Sequence, residues 1–134
     1  MCTFKDTADA MNYFKDDHFA MENGVQIISL DDKACVCSME IAPRHINAAG
    51  NVMGGAIFTL ADFAFAVATN NLHLPSVSQY SSINYLNAVK GSVLYAKTQI
   101  VKNGRTSSVI DVEISDDTGL LIARYSGIGA KLTR

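Results

Sequence analysis

The sequence predicts an α+β domain in which a curved antiparallel sheet wraps one long central helix, about residues 54–71. Three observations predict it. The stretch from Gly55 to Ala68 is close to uniformly apolar, yet Ala56 to Ala68 falls short of the roughly 18–20 residues that cross a bilayer. After Pro75, four short strand-like segments follow, separated by turn signals. Before Pro43, another alternating pair reads as a hairpin. One residue does not fit this scheme. Asp62 places a carboxylate in the middle of the apolar run, where an unpaired charge costs many kcal/mol.

The elements follow in order. Residues 5–16 set Ala8, Met11 and Tyr13 or Phe14 at helical spacing, a short amphipathic helix. The segment DHFAMENG reads as a turn or second short helix closed by Gly24. Val25 to Leu30 is a strand, and Asp31-Asp32 turns the chain into the alternating stretch Lys33 to Ala42. There Cys35, Cys37, Met39 and Ile41 share one face, and Ala34, Val36, Ser38 and Glu40 the other. Pro43 ends that strand, and RHINAAGNVM is a loop. Gly54-Gly55 open the long helix, which stops near Asn70-Asn71. Ser76 to Leu86, Val93 to Val101, the alternating run around Ser108 to Ile114, and Leu120 to Leu132 are expected to form a meander. Gly91, Lys102-Asn103-Gly104 and Asp116-Asp117-Thr118-Gly119 supply its breaks, and tight turns make the neighbours antiparallel.

Length and composition narrow the function. The 134 residues suit a single domain, 1–134, with residues 1–20 as a helical extension, and an apolar content of 49% supports a real core. The net charge of −2 with no cationic cluster argues against nucleic acid or an anionic membrane as partner. Cys2, Cys35 and Cys37 form no even framework and, without a suitable histidine, no metal site; they suit a reducing cytosol. MCTFKDTADAMNYFKDD lacks the apolar run of a signal peptide, so a soluble, cytoplasmic protein is expected. A helix apolar nearly all round must be covered on most sides, and one sheet covers one side. A second copy of the chain is expected to cover the rest, giving a dimer at least.

The run Asn47-x-x-Gly50-x-x-x-Gly54-Gly55-x-x-x-x-Leu60-Ala61-Asp62 resembles the signature of the acyl-CoA thioesterases of the phenylacetic-acid-degradation (PaaI) type, which have the hotdog fold. Ser78, the Asn84-Tyr85-Leu86 strand, Gly91, Gly104-Arg105 and Asp117-x-Gly119 extend the likeness over roughly residues 20–132. The resemblance implies hydrolysis of acyl-CoA thioesters, no cofactor, and a homodimer pairing into a homotetramer. Family members usually carry His just before the paired glycines, where it helps to hold the substrate carbonyl; Met53 stands there in this chain.

Thioester hydrolysis needs an activated water or a carboxylate nucleophile, and donors aimed at the oxygen that becomes negative. A helix N-terminus supplies such donors, because its first N–H groups have no partner within the helix. Gly54 N–H is the candidate oxyanion donor, with Gly55 and Met53 beside the substrate; the alternative is that the glycines only permit a tight turn. Asp62 is the candidate base or nucleophile, or else a carboxylate bonded to a nearby loop. Eight residues from Gly54, it lies about 12 Å along the helix, so the two can share a carbonyl only across an antiparallel helix pair. Asn47 would orient the water or the carbonyl, or be a turn residue. Ser78 falls where some members of the family it resembles carry a hydroxyl that helps position the water. Arg105, exposed at a turn, could contact the phosphates of coenzyme A. A non-catalytic acyl-CoA-binding module is the alternative function, and a hydratase on the same fold would want a histidine that no segment places.

Overall fold

The computed structural model describes residues 2–133. Two short helices come first, α1 (Thr7–Phe14) and α2 (His18–Glu22), each started by an aspartate. Asp6 accepts the amide of Asp9 at 2.8 Å and Asp17 that of Ala20 at 3.3 Å, pairing N–H groups that a helix start leaves open. The hairpin β1 (Gln26–Leu30) and β2 (Cys35–Glu40) follows, then α3 (Gly54–Leu72), β3 (Ser76–Tyr85), β4 (Val93–Asn103), β5 (Ser107–Asp116) and β6 (Leu121–Lys131). The six strands form one antiparallel sheet in the order β1-β2-β4-β5-β6-β3.

The expected meander holds for β4, β5 and β6. It fails for β3, which leaves α3 and pairs with β6 instead of β4. The break at Gly91 is therefore not a turn between neighbours but part of a connection that carries the chain past β6 and β5. Tyr85 ends beside Ala123, and Val93 begins beside Glu40. A second difference is smaller: Lys102 and Asn103 still pair with β5, so the turn itself is Gly104 to Thr106.

The inner face of the sheet packs on α3. Cys35, Cys37 and Met39 of β2, Leu94 and Ala96 of β4, Ile110, Val112 and Ile114 of β5, and Ala123 and Tyr125 of β6 are buried there. The helix lies close to β6. A Cβ at Gly127 would sit 2.7 Å from the Phe65 ring, so only glycine admits that ring. The other side of α3 is partly covered from within the chain, because Phe14 of α1 meets Phe63 edge-on at 5.3 Å. What a second copy was expected to cover thus shrinks to one stripe. Gly55, Phe58, Thr59, Asp62 and Ala66, spaced by three and four residues, are its half-buried or exposed positions. No helix among the described residues is long and apolar enough to cross a membrane.

Candidate active site

The segment before α3 sets the helix entrance. His45 is buried, and its Nδ1 accepts the amide of Ala42 at 3.0 Å while its carbonyl accepts the amide of Met53 at 2.8 Å. Burial pushes the His45 pKa down, with Arg44 adding to the effect, so its ring is a neutral strut. Ile46 and Val52 bridge across the loop between them. Asn47 heads that loop: its Oδ1 accepts the amides of Ala49 at 3.0 Å and Asn51 at 3.1 Å. Its side-chain oxygen thus shapes the turn, and its Nδ2 has no bond among the described residues.

Met53 is the N-cap of α3 and gives no side-chain hydrogen bond. The helix ladder begins with the amides of Ala56 and Ile57 on the Met53 carbonyl, so the N–H groups of Gly54 and Gly55 have no partner among the described residues. Met53 is 51% exposed and folds over Gly55, where a Cβ would lie 2.6 Å from its terminal methyl. Tyr85 donates to the Gly54 carbonyl at 3.0 Å and packs its ring against the glycine. Tyr85 is a contact that sequence reading placed only on a strand.

Asp62 lies on the uncovered stripe. Burial raises its pKa, a hydrogen bond from Tyr125 opposes this, and the charge of Asp17 at the start of α2 raises it further. The Tyr125 hydroxyl reaches Oδ1 at 3.3 Å and meets Ser81 Oγ at 2.9 Å; Ser81 Oγ is in turn 3.2 Å from Ser78 Oγ. The structure therefore ties Ser78 and Asp62 together through two residues that sequence reading missed. The signal was faint, since Tyr125 and Ser81 sit on strands with no motif around them.

Arg105 lies in the β4–β5 turn, at the end of the sheet where Ser76 pairs with Lys131 and Ser107 with Ala130. That is the end at which α3 finishes, away from Gly54 of the same chain. Thr59 and Thr69 act within the helix packing: Thr59 Oγ1 donates to the Gly55 carbonyl at 2.8 Å, and Thr69 Oγ1 meets Ser108 Oγ at 2.6 Å.

Residues 49–123 match the family model of the thioesterase superfamily. The chain is 31% identical over 125 residues to the acyl-coenzyme A thioesterase PaaI of Escherichia coli, covering 90% of this chain and 89% of that one. The solved structure of the E. coli PaaI protein superposes with a TM-score of 0.87 at 28% identity, over 94% of this chain and 92% of that one. A hypothetical thioesterase from Streptococcus pneumoniae, solved with coenzyme A, gives a TM-score of 0.82 at 32% identity, over 90% and 98% of the two chains. Two solved variants under that S. pneumoniae name carry alanine in place of an aspartate and a threonine, separated by the same number of residues as Asp62 and Ser78.

Proposed function

The chain belongs to the thioesterase superfamily, and we propose that it hydrolyses acyl-CoA thioesters to free acid and coenzyme A at sites shared between two copies. The observation that carries this reading is the mismatch within one protomer. Asp62 is a half-buried carboxylate with a single long hydrogen bond, and the Gly54 and Gly55 amides, some 12 Å away along the helix, have no partner among the described residues. Two α3 helices laid antiparallel along the uncovered stripe resolve both. Asp62 of one copy then faces the helix start of the other, where the dipole favours its ionised form and opposes the burial that raises its pKa.

The sheet edge supports the same pairing. β3 is a ten-residue edge strand with Val77, Tyr80 and Tyr85 exposed, and a long edge with one side of its backbone unpaired in the sheet suits a covering strand. A closed dimer built this way has two equivalent sites, and a pair of such dimers is the proposed assembly. The Arg105 end of one copy lies towards the helix start of the other, which suits a contact with the phosphates of coenzyme A.

In this mechanism the thioester carbonyl points its oxygen at Gly54 N–H, whose hydrogen bond strengthens as the oxygen becomes negative. Asp62 either takes a proton from water as it attacks or attacks the carbonyl carbon itself. Both need an ionised carboxylate against the carbonyl, and both expel the thiolate of coenzyme A. The second also leaves an acyl anhydride on Asp62, which water cleaves to free the acid and restore the carboxylate. Asn47 Nδ2 and Ser78 Oγ orient the reacting groups. Gly55 and Met53 flank the acyl chain, and the cytosol, where acyl-CoA is found, is the proposed compartment.

The test is thiol release from a panel of aliphatic and aromatic acyl-CoAs, with wild type beside Asp62→Asn. The expected result is wild-type turnover and a fall of about 10²–10⁴-fold in the variant, with its oligomeric state retained. A wild type that binds acyl-CoA yet releases no thiol would make the protein a binding module. An active Asp62→Asn variant would remove Asp62 from the chemistry.

A further inference from the structure

We propose that Tyr125 is a positioning residue for the Asp62 carboxylate, the first link of a chain of hydroxyls that joins Asp62 Oδ1 through Ser81 to Ser78. The inference rests on the reading of Asp62 given above.

A bulge makes the chain possible. In a regular strand, residues three apart point to opposite faces, so Ser78 and Ser81 would be separated by the sheet. The register of β3 on β6 shifts between Ser78 and Tyr80: Ser78 pairs with Gly129, Tyr80 with Ile128 and Ser81 with Gly127. The extra residue, Gln79, turns both serines to the helix-facing side. Gly127 and Gly129 carry no side chains there, and Tyr125 reaches across the space to Ser81. The Tyr125 ring is held in place, 1% exposed, with Phe58 edge-on at 5.6 Å and Phe65 at 5.8 Å.

Proton counting fixes the direction. An ionised carboxylate only accepts, so the single Tyr125 proton goes to Asp62 Oδ1 at 3.3 Å. Tyr125 Oη can then only accept from Ser81 at 2.9 Å, and Ser81 Oγ only from Ser78 at 3.2 Å. Ser78 has spent its proton and keeps a lone pair. It therefore receives an O–H from water and cannot donate to the thioester carbonyl while Asp62 is charged. That leaves Asp62 Oδ2, free of any bond among the described residues, as the oxygen that meets the other water proton or the carbonyl carbon.

Burial pushes the Tyr125 pKa up to about 12, with the Ser81 bond opposing and the Asp62 charge adding, so it remains a donor across the working pH range. The charged and titratable groups that bear on Asp62 are Tyr125 from β6 and Asp17 from the start of α2.

The test is the pH dependence of kcat/KM, followed by loss of thioester absorbance, for wild type, Asp62→Asn, Tyr125→Phe and Ser81→Ala. Tyr125→Phe keeps the ring and removes the donor that favours the charged carboxylate. Its acid limb should move up by about 0.5–1 pH unit, with kcat reduced several-fold and KM little changed. Ser81→Ala should move the limb the same way by less, because Ser81 only polarises the tyrosine. A tyrosine that only fills space would be replaced by phenylalanine with the limb left in place. A folded Tyr125→Phe with an unmoved limb, beside an inactive Asp62→Asn, overturns the assignment while Asp62 keeps its role. An active Asp62→Asn overturns both. Should Tyr125→Phe fail to assemble, an unmoved limb in Ser81→Ala overturns the chain.

Discussion

Among the described residues, Asp116, at the end of β5, has five donors on its two oxygens; Asp62, in the middle of α3, has one. The amides of Lys90 and Gly91 reach Asp116 Oδ2 at 2.9 Å, and the Thr118 amide and hydroxyl and the Leu120 amide share Oδ1. Burial alone would raise the Asp116 pKa, but these bonds outweigh it and hold the carboxyl well below the usual carboxylate range. For Asp62 burial dominates, and the pKa rises. Both carboxylates lie in one small domain, Asp116 buried and Asp62 half-buried. The difference teaches what each is for. A carboxylate whose acceptor capacity is filled by its own chain is a clasp, here joining the β3–β4 connection to the β5–β6 turn. One left nearly empty on an uncovered helix stripe keeps acceptor capacity that its own chain does not fill, as the proposed site requires.

Exchanging each carboxylate for its amide puts this contrast under the largest strain. Asp62→Asn should cost rate and spare the fold, because the chain spends only one long hydrogen bond on it. Asp116→Asn should do the reverse. An amide offers its NH₂ to donors that want an acceptor, at a cost of about 2–3 kcal/mol for hydrogen bonds to a charged group. That is on the order of a 10 °C loss in melting temperature for a domain of this size, with kcat/KM within about twofold of wild type. Thermal scans and thiol release on both variants check the pair. Two variants that lose stability alike would erase the distinction.

Acid titration sharpens the same contrast through its sign. The folded pKa of Asp116 lies below its unfolded value of about 3.9, so its contribution is present above that value and is lost as pH falls through the folded one. The gap in melting temperature between wild type and Asp116→Asn should therefore close below about pH 4. Asp62, with its pKa raised by burial, works the other way: its charge costs stability above the folded pKa, and the cost is relieved as pH falls. A gap for Asp116→Asn that stays constant into acid would mean that the clasp does not depend on charge.

The glycine at the helix start belongs on the same side of the contrast as Asp62. Ala outranks Gly by about 1 kcal/mol in a helix interior. Gly54 is the first helical residue, so the gain is smaller and the contact with Tyr85 offsets it; Gly54→Ala should leave stability little changed. The added methyl would lie 3.1 Å from the Tyr85 ring and crowd the hydroxyl that donates to the Gly54 carbonyl. A fall of about tenfold in kcat/KM without loss of melting temperature is expected, a little over 1 kcal/mol in the barrier. A loss of stability with the rate intact would make Gly54 a packing glycine.

Much of this arrangement is legible in the sequence, and the parts that are not share a cause. The apolar run gives α3 within a residue or two at its end, and the alternation of Ser108, Ile110, Val112 and Ile114 gives the buried face of β5 correctly. Both depend on neighbours in the chain. The position of β3 does not: it is decided by which edge can bury it, and the turn-like Gly91 invites the wrong neighbour. The link from Ser78 to Asp62 is hidden for the same reason. It needs a bulge at Gln79, a register against β6 and a tyrosine far along the chain, and no spacing rule announces any of them. Asn47 shows the complementary case. The motif marks its position, while the structure shows its oxygen engaged in the turn, which narrows any role in the chemistry to its Nδ2.

The smallest expected effect concerns Met53, where the resemblance to the PaaI-type enzymes breaks. Met53 caps α3 without a side-chain hydrogen bond and lies half exposed beside the Gly54 and Gly55 amides, which have no partner among the described residues. A thioether is at best a weak acceptor and gives no proton, so in the proposed site the substrate carbonyl would meet backbone N–H groups alone at the helix entrance. Met53→His would add a ring N–H at that place. One neutral hydrogen bond is worth about 1 kcal/mol net, so kcat/KM should rise about fivefold, with stability unchanged because the residue is exposed and packs on little. The gain should vanish when Met53→His is combined with Asp62→Asn, since a better-held carbonyl is of no use without the group that attacks it. Unchanged kinetics in the single variant would mean that the carbonyl does not lie against residue 53, and the site would have to be drawn around the Gly54 and Gly55 amides and Asp62 without it.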